Sequence, residues 1–231
     1  AVIQVVRELG QQTDLQQIAG VGVSGQQHGS VFLDASGVVV RPAKLWCDTS
    51  TADEAQQLTQ KLGRSVPVGF TASKVTWLAR HEAENWQRTA HVLLPHDFIN
   101  YRLTESLTME AGDASGTGWF EVETRHFDEA AMNAVDESLA GKVPRLLETG
   151  EVAGHLSETA AKALGLPAGI PVAPGGGDNM MSAIGSGATR SGVVVMSLGT
   201  SGTVFTRTDQ PVIDPEGLIA PFCSSDGGWL P

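Results

Sequence analysis

Apolar and polar positions along the chain switch between two periods, and the switches mark a run of alternating elements. Residues 18–25, IAGVGVSG, form a short β-type run, and residues 31–40, VFLDASGVVV, read as a hairpin turning at Asp34 to Gly37. The stretch before residue 18 has a helical pattern. From residue 51 the apolar positions take the helical spacing, with Ser50 and Asp53 as a capping box and Gly63 as a stop, which predicts a helix over 51–62. Further helices are predicted over 73–84, 95–103, 128–136 and 157–164, the last bracketed by Ser157 and Gly165. Between them, WFEVETRHFD at 119–128 has strand character. In the final third, IPVAPGGGDN predicts a strand and turn, NMMSAIGSG a small-residue helix, and GVVVMSLGTSGTVFTRTD two β runs about a glycine-containing turn. Helices and strands are mixed throughout, so the class is α/β. No repeat or low-complexity segment interrupts the pattern, and GSGATRSG at 185–192 is the best candidate boundary.

Composition narrows the functions. With 231 residues and 41% hydrophobic content, the chain can bury a substantial core. Its apolar runs are far shorter than the roughly 18 residues a spanning helix needs, and AVIQVVRELGQQ lacks the features of a signal peptide, so a cytoplasmic protein without membrane partners is expected. A net charge of −11 without clustered Lys or Arg argues against nucleic acid. Cys47 and Cys223 match no metal or redox spacing and are expected to be ordinary thiols. The sequence does not fix an oligomeric state; a homodimer is one possible assembly, since dimers are the commonest closed form.

The 27 glycines exceed the usual share of about 7% and concentrate in short clusters, where candidate chemistry lies. GVGVSG matches a dinucleotide fingerprint literally, but no helical period follows it, so the match is read as chance. No GxxxxGK[ST] occurs. GQQHG at 25–29 offers two amides and an imidazole suited to a polyhydroxylated ligand, although a lone histidine is more often structural. Asp48 of LWCD suits a helix cap, and GDASGTGWF at 112–120 reads as a turn. SLGTSG at 197–202 could turn its N–H groups and hydroxyls onto a phosphate, or be an ordinary hairpin turn. In PGGGDN, Asp178 stands where a strand gives way to a helix, the usual place for a ligand cleft. It could cap that helix, yet capping needs at most one glycine, and three imply a close backbone approach. As a general base, Asp178 would need to reach a substrate hydroxyl and be ionised at neutral pH.

In this order, GQQHG, KLWCD, FTASKVTWL, LLPHDF, DASGT, GGGDN and SLGTSG resemble the FGGY carbohydrate kinases, and the likeness covers nearly the whole chain. The resemblance implies an actin-like, ribonuclease-H-like α/β fold, a mixed sheet with flanking helices, and sugar and ATP bound between two domains. Residues 1–188 would be the sugar-binding domain and 189–231 the start of the ATP-binding one. It further implies Asp178 as the catalytic base, Gln27, His28 and Asn179 as sugar contacts, Gly199 and Thr200 at the ATP phosphates, and Mg²⁺ with the nucleotide. GQxHG points within the family to a ketopentose, D-xylulose. The family's DxGT strand-turn-strand and later adenosine site have no counterpart here, so the chain reads as an internal stretch of such a kinase. A non-catalytic sugar-binding module and a kinase of ribulose, gluconate or a sugar alcohol are the competing readings.

Overall fold

The computed structural model describes residues 1–198, 202–214 and 218–231. Among them, helices span α1 Val2–Leu9, α2 Ala52–Leu62, α3 Thr71–His81, α4 Ala83–Arg88, α5 Pro95–Thr104, α6 Ala111–Ala114, α7 Glu129–Val135, α8 Glu158–Leu164 and α9 Asp178–Gly185. The strands are β1 Ser24–Gly25, β2 Val31–Leu33, β3 His91–Leu93, β4 Thr108–Met109, β5 Phe120–Glu121, β6 His126–Phe127, β7 Arg145–Leu146, β8 Gly154–His155, β9 Pro171–Val172, β10 Gly176–Gly177, β11 Val194–Leu198 and β12 Gly202–Thr206. They pair as short two-stranded ladders, parallel for β1·β10 and β4·β7 and antiparallel for β2·β3, β5·β6, β8·β9 and β11·β12. The expected mixture of directions is present, in pieces rather than one continuous sheet.

Local chemistry explains most element ends. Gly63 and Gly165 close α2 and α8 in the left-handed conformation, which lacks a steric penalty for glycine. Ser157 caps α8 by accepting the Ala160 N–H, and Asp128 caps α7 by accepting that of Ala131. The hairpin at 31–40 forms as its pattern indicates: Asp34 N–H donates to the Val38 carbonyl, and Gly37 takes a φ of 77°.

Three expectations need correction. The Ser50/Asp53 capping box is absent, since Thr51 is the N-cap of α2 and Ser50 Oγ accepts instead from Lys44 Nζ at 2.8 Å. The predicted helix over 73–84 ends at His81 and a second begins at Ala83, with Glu82 between them in a non-helical conformation. GDASGTGWF is not a simple turn: Glu110 accepts the N–H groups of Gly112 and Asp113 and starts α6.

Two main clusters carry the packing. One joins Phe32, Leu78, Val92, Trp119 and Met132 beneath α2, α3 and α7. The other joins Leu103, Leu156, Leu164 and Val172 between α5, α8 and β9. Phe32 and Trp119 are wholly buried, and burying an aromatic side chain of this size contributes roughly 1.5–3 kcal/mol. Between these clusters α5 runs beneath the β1·β10 pair, and there the site is built.

Candidate functional site

The β1·β10 register places Ser24 opposite Gly176 and Gly25 opposite Gly177. Parallel strands end on the same side, so GQQHG leaves β1 beside the start of α9, and two segments about 150 positions apart meet. The glycine run is what allows the approach. Gly175 has a φ of 68°, and a Cβ there would lie 2.1 Å from the Val23 carbonyl oxygen. A Cβ on Gly177 would fall 2.4 Å from Gln27 Cγ. The run is therefore fitted to the neighbouring strand and to Gln27. From below, Asn100 Nδ2 of α5 donates to the Pro174 carbonyl at 2.6 Å and anchors the entry to the run.

Asp178 is the first residue of α9, whose N-cap is Gly177, so its carboxylate does not occupy the capping position. It is exposed, and its Oδ1 accepts the adjacent Asn179 N–H at 3.1 Å. Asn179 Nδ2 donates to Gln27 Oε1 at 2.9 Å, which orients both amides, and Gln27 Nε2 lies 3.1 Å from Met180 Sδ. Gln27, His28, Asp178 and Asn179 share one cavity of about 300 Å³ with Trp46, Ser197 and Thr203. Four residues chosen from sequence are thus brought together, in a space at the small-molecule end of ligand pockets. A larger cavity of about 740 Å³ is lined mostly by apolar groups such as Val2, Val6, Leu9 and Ile18, with Ser24 and Gln26 among them, and holds none of the four. The smaller cavity is the one where a carboxylate, an imidazole and two amides converge.

His28 is held with unusual thoroughness. Its φ of 58° is rare for a residue with a side chain. Thr71 Oγ1 donates to its carbonyl at 3.2 Å, and its ring stacks on Phe222 with centroids 5.6 Å apart. Phe70 leans against it at 5.2 Å. A Cβ on Gly116 would sit 1.8 Å from the imidazole, so the DASGT segment is shaped around this ring.

Beneath it lies a fully buried polar cluster. Asp113 Oδ1 accepts the His28 backbone N–H at 3.3 Å and lies 3.4 Å from its Nδ1, while Oδ2 contacts His96 Nδ1 at 2.9 Å. His96 Nε2 is 3.1 Å from Asp97 Oδ1, off the hydrogen-bonding axis. Burial alone would push the His96 pKa down, but the Asp97 and Asp113 carboxylates hold it well above the usual value. Burial works against the Asp113 carboxylate too, and the imidazoles of His28 and His96 reverse it, bringing its pKa to about 2. Burial raises Glu110 to about 7 despite the nearby His96 charge and the two N–H groups it accepts. Asp97 is also raised by burial, partly offset by His96.

Several outcomes follow for the sequence expectations. No helix opens at GVGVSG, where β1 runs into a loop, so the dinucleotide reading fails. Gly199 and Thr200 lie outside the described residues, although β11 and β12 on either side form the expected antiparallel pair. Asp48 caps nothing, but its carboxylate accepts the Ser50 N–H and pairs with Lys44 Nζ at 3.1 Å. Sequence reasoning missed Trp46, half exposed on the cavity wall, and Asp113 and Phe222 around His28. Trp46 and Asp113 lie in LWCD and DASGT, but with only a pattern to go on, a cap and a turn explained those segments. Cys47 and Cys223 are both free. Among the described residues, no helix is long and apolar enough to cross a membrane, and no group of three His, Cys, Asp or Glu side chains is arranged to hold a metal ion.

Comparison with known proteins places this geometry in a class. Residues 1–185 match the N-terminal domain of the FGGY family of carbohydrate kinases. The chain belongs to the FGGY family of carbohydrate kinases, and its fold is the actin-like ATPase fold of those enzymes. Among its relatives, the xylulose kinase of Streptomyces coelicolor is 44% identical, over 93% of this chain and 46% of the relative. That of Haemophilus influenzae is 40% identical, over 93% and 46%. The crystal structure of a xyloylose kinase from Brucella ovis superposes with a TM-score of 0.89 at 34% identity, covering 99% of this chain and 48% of that one. The chain spans about half the length of the curated relatives it matches.

Proposed function

We propose that residues 1–188 form the sugar-binding domain of an ATP-dependent kinase and residues 189–231 the beginning of its ATP-binding domain, and that the reaction converts D-xylulose to D-xylulose 5-phosphate. The observation that carries this reading is the 300 Å³ cavity in which the Asp178 carboxylate faces the same space as Gln27, His28 and Asn179. A ketopentose presents hydroxyls on several sides, and two amides, an imidazole and two hydroxyls match that demand. The names of the relatives point the same way.

In this proposal Asp178 accepts the proton of the sugar's 5-hydroxyl as its oxygen attacks the γ-phosphorus of ATP, and ADP departs with the electron pair of the cleaved bond. Gln27, His28 and Asn179 hold the remaining hydroxyls and fix the angle of attack. Gly199 and Thr200 would contact the ATP phosphates between β11 and β12. Mg²⁺ would come with those phosphates and neutralise their charge.

The test is ADP release by the whole kinase with Mg-ATP and a panel of D-xylulose, ribulose, glycerol and gluconate, run beside Asp178→Asn. The expected result is turnover on D-xylulose alone, with kcat lowered about 10²- to 10⁴-fold in the variant and KM little changed. Wild-type turnover surviving in Asp178→Asn would remove the base from the proposal, and preference for another sugar would replace the substrate.

A further inference from the structure

The mechanism leaves the buried carboxylate of Asp113 without a task. Asp113 is completely buried, with one oxygen bonded to His96 Nδ1 at 2.9 Å and the other 3.4 Å from Nδ1 of His28, the ring that lines the sugar cavity. Burying a carboxylate against two histidines is an expensive way to stabilise a fold, since apolar residues of similar volume often do as well or better. The arrangement is directional in a way that packing does not require.

We propose that Asp113 is a positioning residue for sugar recognition, holding His28 as the tautomer protonated on Nδ1 so that Nε2 presents a lone pair to the cavity. The inference rests on the reading of His28 as a sugar contact. A neutral imidazole has one donor and one acceptor, and which nitrogen carries the proton is set by the partner of the other. The Asp113 oxygen that accepts the His28 backbone N–H lies 3.4 Å from Nδ1, off the hydrogen-bonding axis, and its negative charge there favours a proton on Nδ1 over a lone pair turned towards it. His96 occupies the second oxygen and prevents the carboxylate from rotating away. Asp97 and Glu110 supply the other charges around this cluster, both facing His96 and Asp113 rather than His28. Phe222 and Phe70 then clamp the ring plane, and Gly116 leaves room for it. A sugar hydroxyl meeting Nε2 must donate, while the amides of Gln27 and Asn179 remain available on other sides. The site would therefore read the direction of hydrogen bonds as well as their positions.

A double-mutant cycle on sugar affinity, measured by calorimetry in the full chain, tests this. His28→Asn keeps a side chain tolerated at positive φ and should weaken D-xylulose binding about tenfold. Asp113→Asn should weaken it about as much in the wild-type background, and by less than about twofold in the His28→Asn background, because its effect passes through His28. Equal losses in both backgrounds would show that Asp113 acts on the fold alone and would overturn the inference. Unchanged affinity in His28→Asn would instead overturn the reading of His28 as a sugar contact. If Asp113→Asn does not fold, the nitrogen-15 spectrum of the His28 ring in wild-type protein, taken where the ring is neutral, decides the matter. An Nδ1–H signal supports the inference and an Nε2–H signal overturns it.

Discussion

Gly116→Ala is the smallest change that should disable the site. The added Cβ would lie 1.8 Å from His28 Cε1 and 1.9 Å from Nδ1, so the ring must retreat by more than about 1.5 Å to reach ordinary contact. Three sides are closed to it, by Phe222 in a near-parallel stack, by Phe70, and by the Asp113 carboxylate. The remaining way is into the cavity, which breaks the Asp113 contact and fills the sugar's space. Overpacking costs about 1–3 kcal/mol, and moving the ring away from the buried carboxylate adds a smaller electrostatic loss. A net loss of about 1–3 kcal/mol is expected, or roughly 2–12 °C in Tm for a chain of this size. Sugar affinity should fall more than tenfold, because imidazole and ligand would compete for one volume. Thermal unfolding and calorimetric titration measure the two effects. The His28→Gly/Gly116→Ala double variant should melt close to His28→Gly alone, since removing the ring removes the clash and glycine suits the φ of 58°. A single Gly116→Ala variant with wild-type Tm and wild-type sugar affinity would refute the reasoning.

Glu110 should make stability fall as pH rises. Burial raises its pKa from 4.5 to about 7, so between those values the folded state keeps a proton that the unfolded chain releases. Up to about 3 kcal/mol is lost across that window, and Glu110→Gln should flatten this part of the urea-unfolding pH profile, an unchanged slope counting against it. Asp113, held to about 2, has the opposite sign: its contribution is complete above the ordinary value of 3.8 and should drain away as pH falls towards 2 in acid unfolding. Lys74→Met should lower stability by about 3 kcal/mol or more in urea, because Lys74 Nζ is buried and donates to the carbonyls of Asp48 and Val68 and to Thr51 Oγ1, all of which would lose a partner. The same loss should loosen the loop that carries Trp46, so weaker sugar binding is expected alongside it.

Much of this site could be read from the sequence because its local signals are strong. Gly165 and Ser157 bracket α8, Asp34 and Gly37 make the hairpin turn, and GGGD before a small-residue helix marks a strand end with little room around it. What could not be read is whatever depends on distant segments meeting. Ser50 does not cap α2 because Lys44 claims its hydroxyl, and Thr51, which stands at the N-cap, makes no side-chain cap bond because Lys74 claims its own. The role of Asp113 is hidden for the same reason: DASGT has turn chemistry on its face, and only the packing of α5 against α6 brings His96 to one oxygen while β1 delivers His28 to the other.

The construction also explains why a polar cavity can be rigid without a large apolar lining. Gln27 and Asn179 restrain each other across the β1·β10 junction, so neither amide need pay the full rotamer entropy when a ligand arrives. His28 is fixed by a buried carboxylate on one edge and aromatic rings on its faces. Asp178, by contrast, accepts the local Asn179 N–H and stands exposed at the start of α9. The division suits the proposed chemistry. Groups that recognise hydroxyls gain from being held still, whereas a base must approach a hydroxyl and part with a proton at each turnover, and a carboxylate locked in buried pairs would do neither. Asp113 and Asp178 are two aspartates within one small region, and their surroundings alone separate the one proposed to position from the one proposed to react.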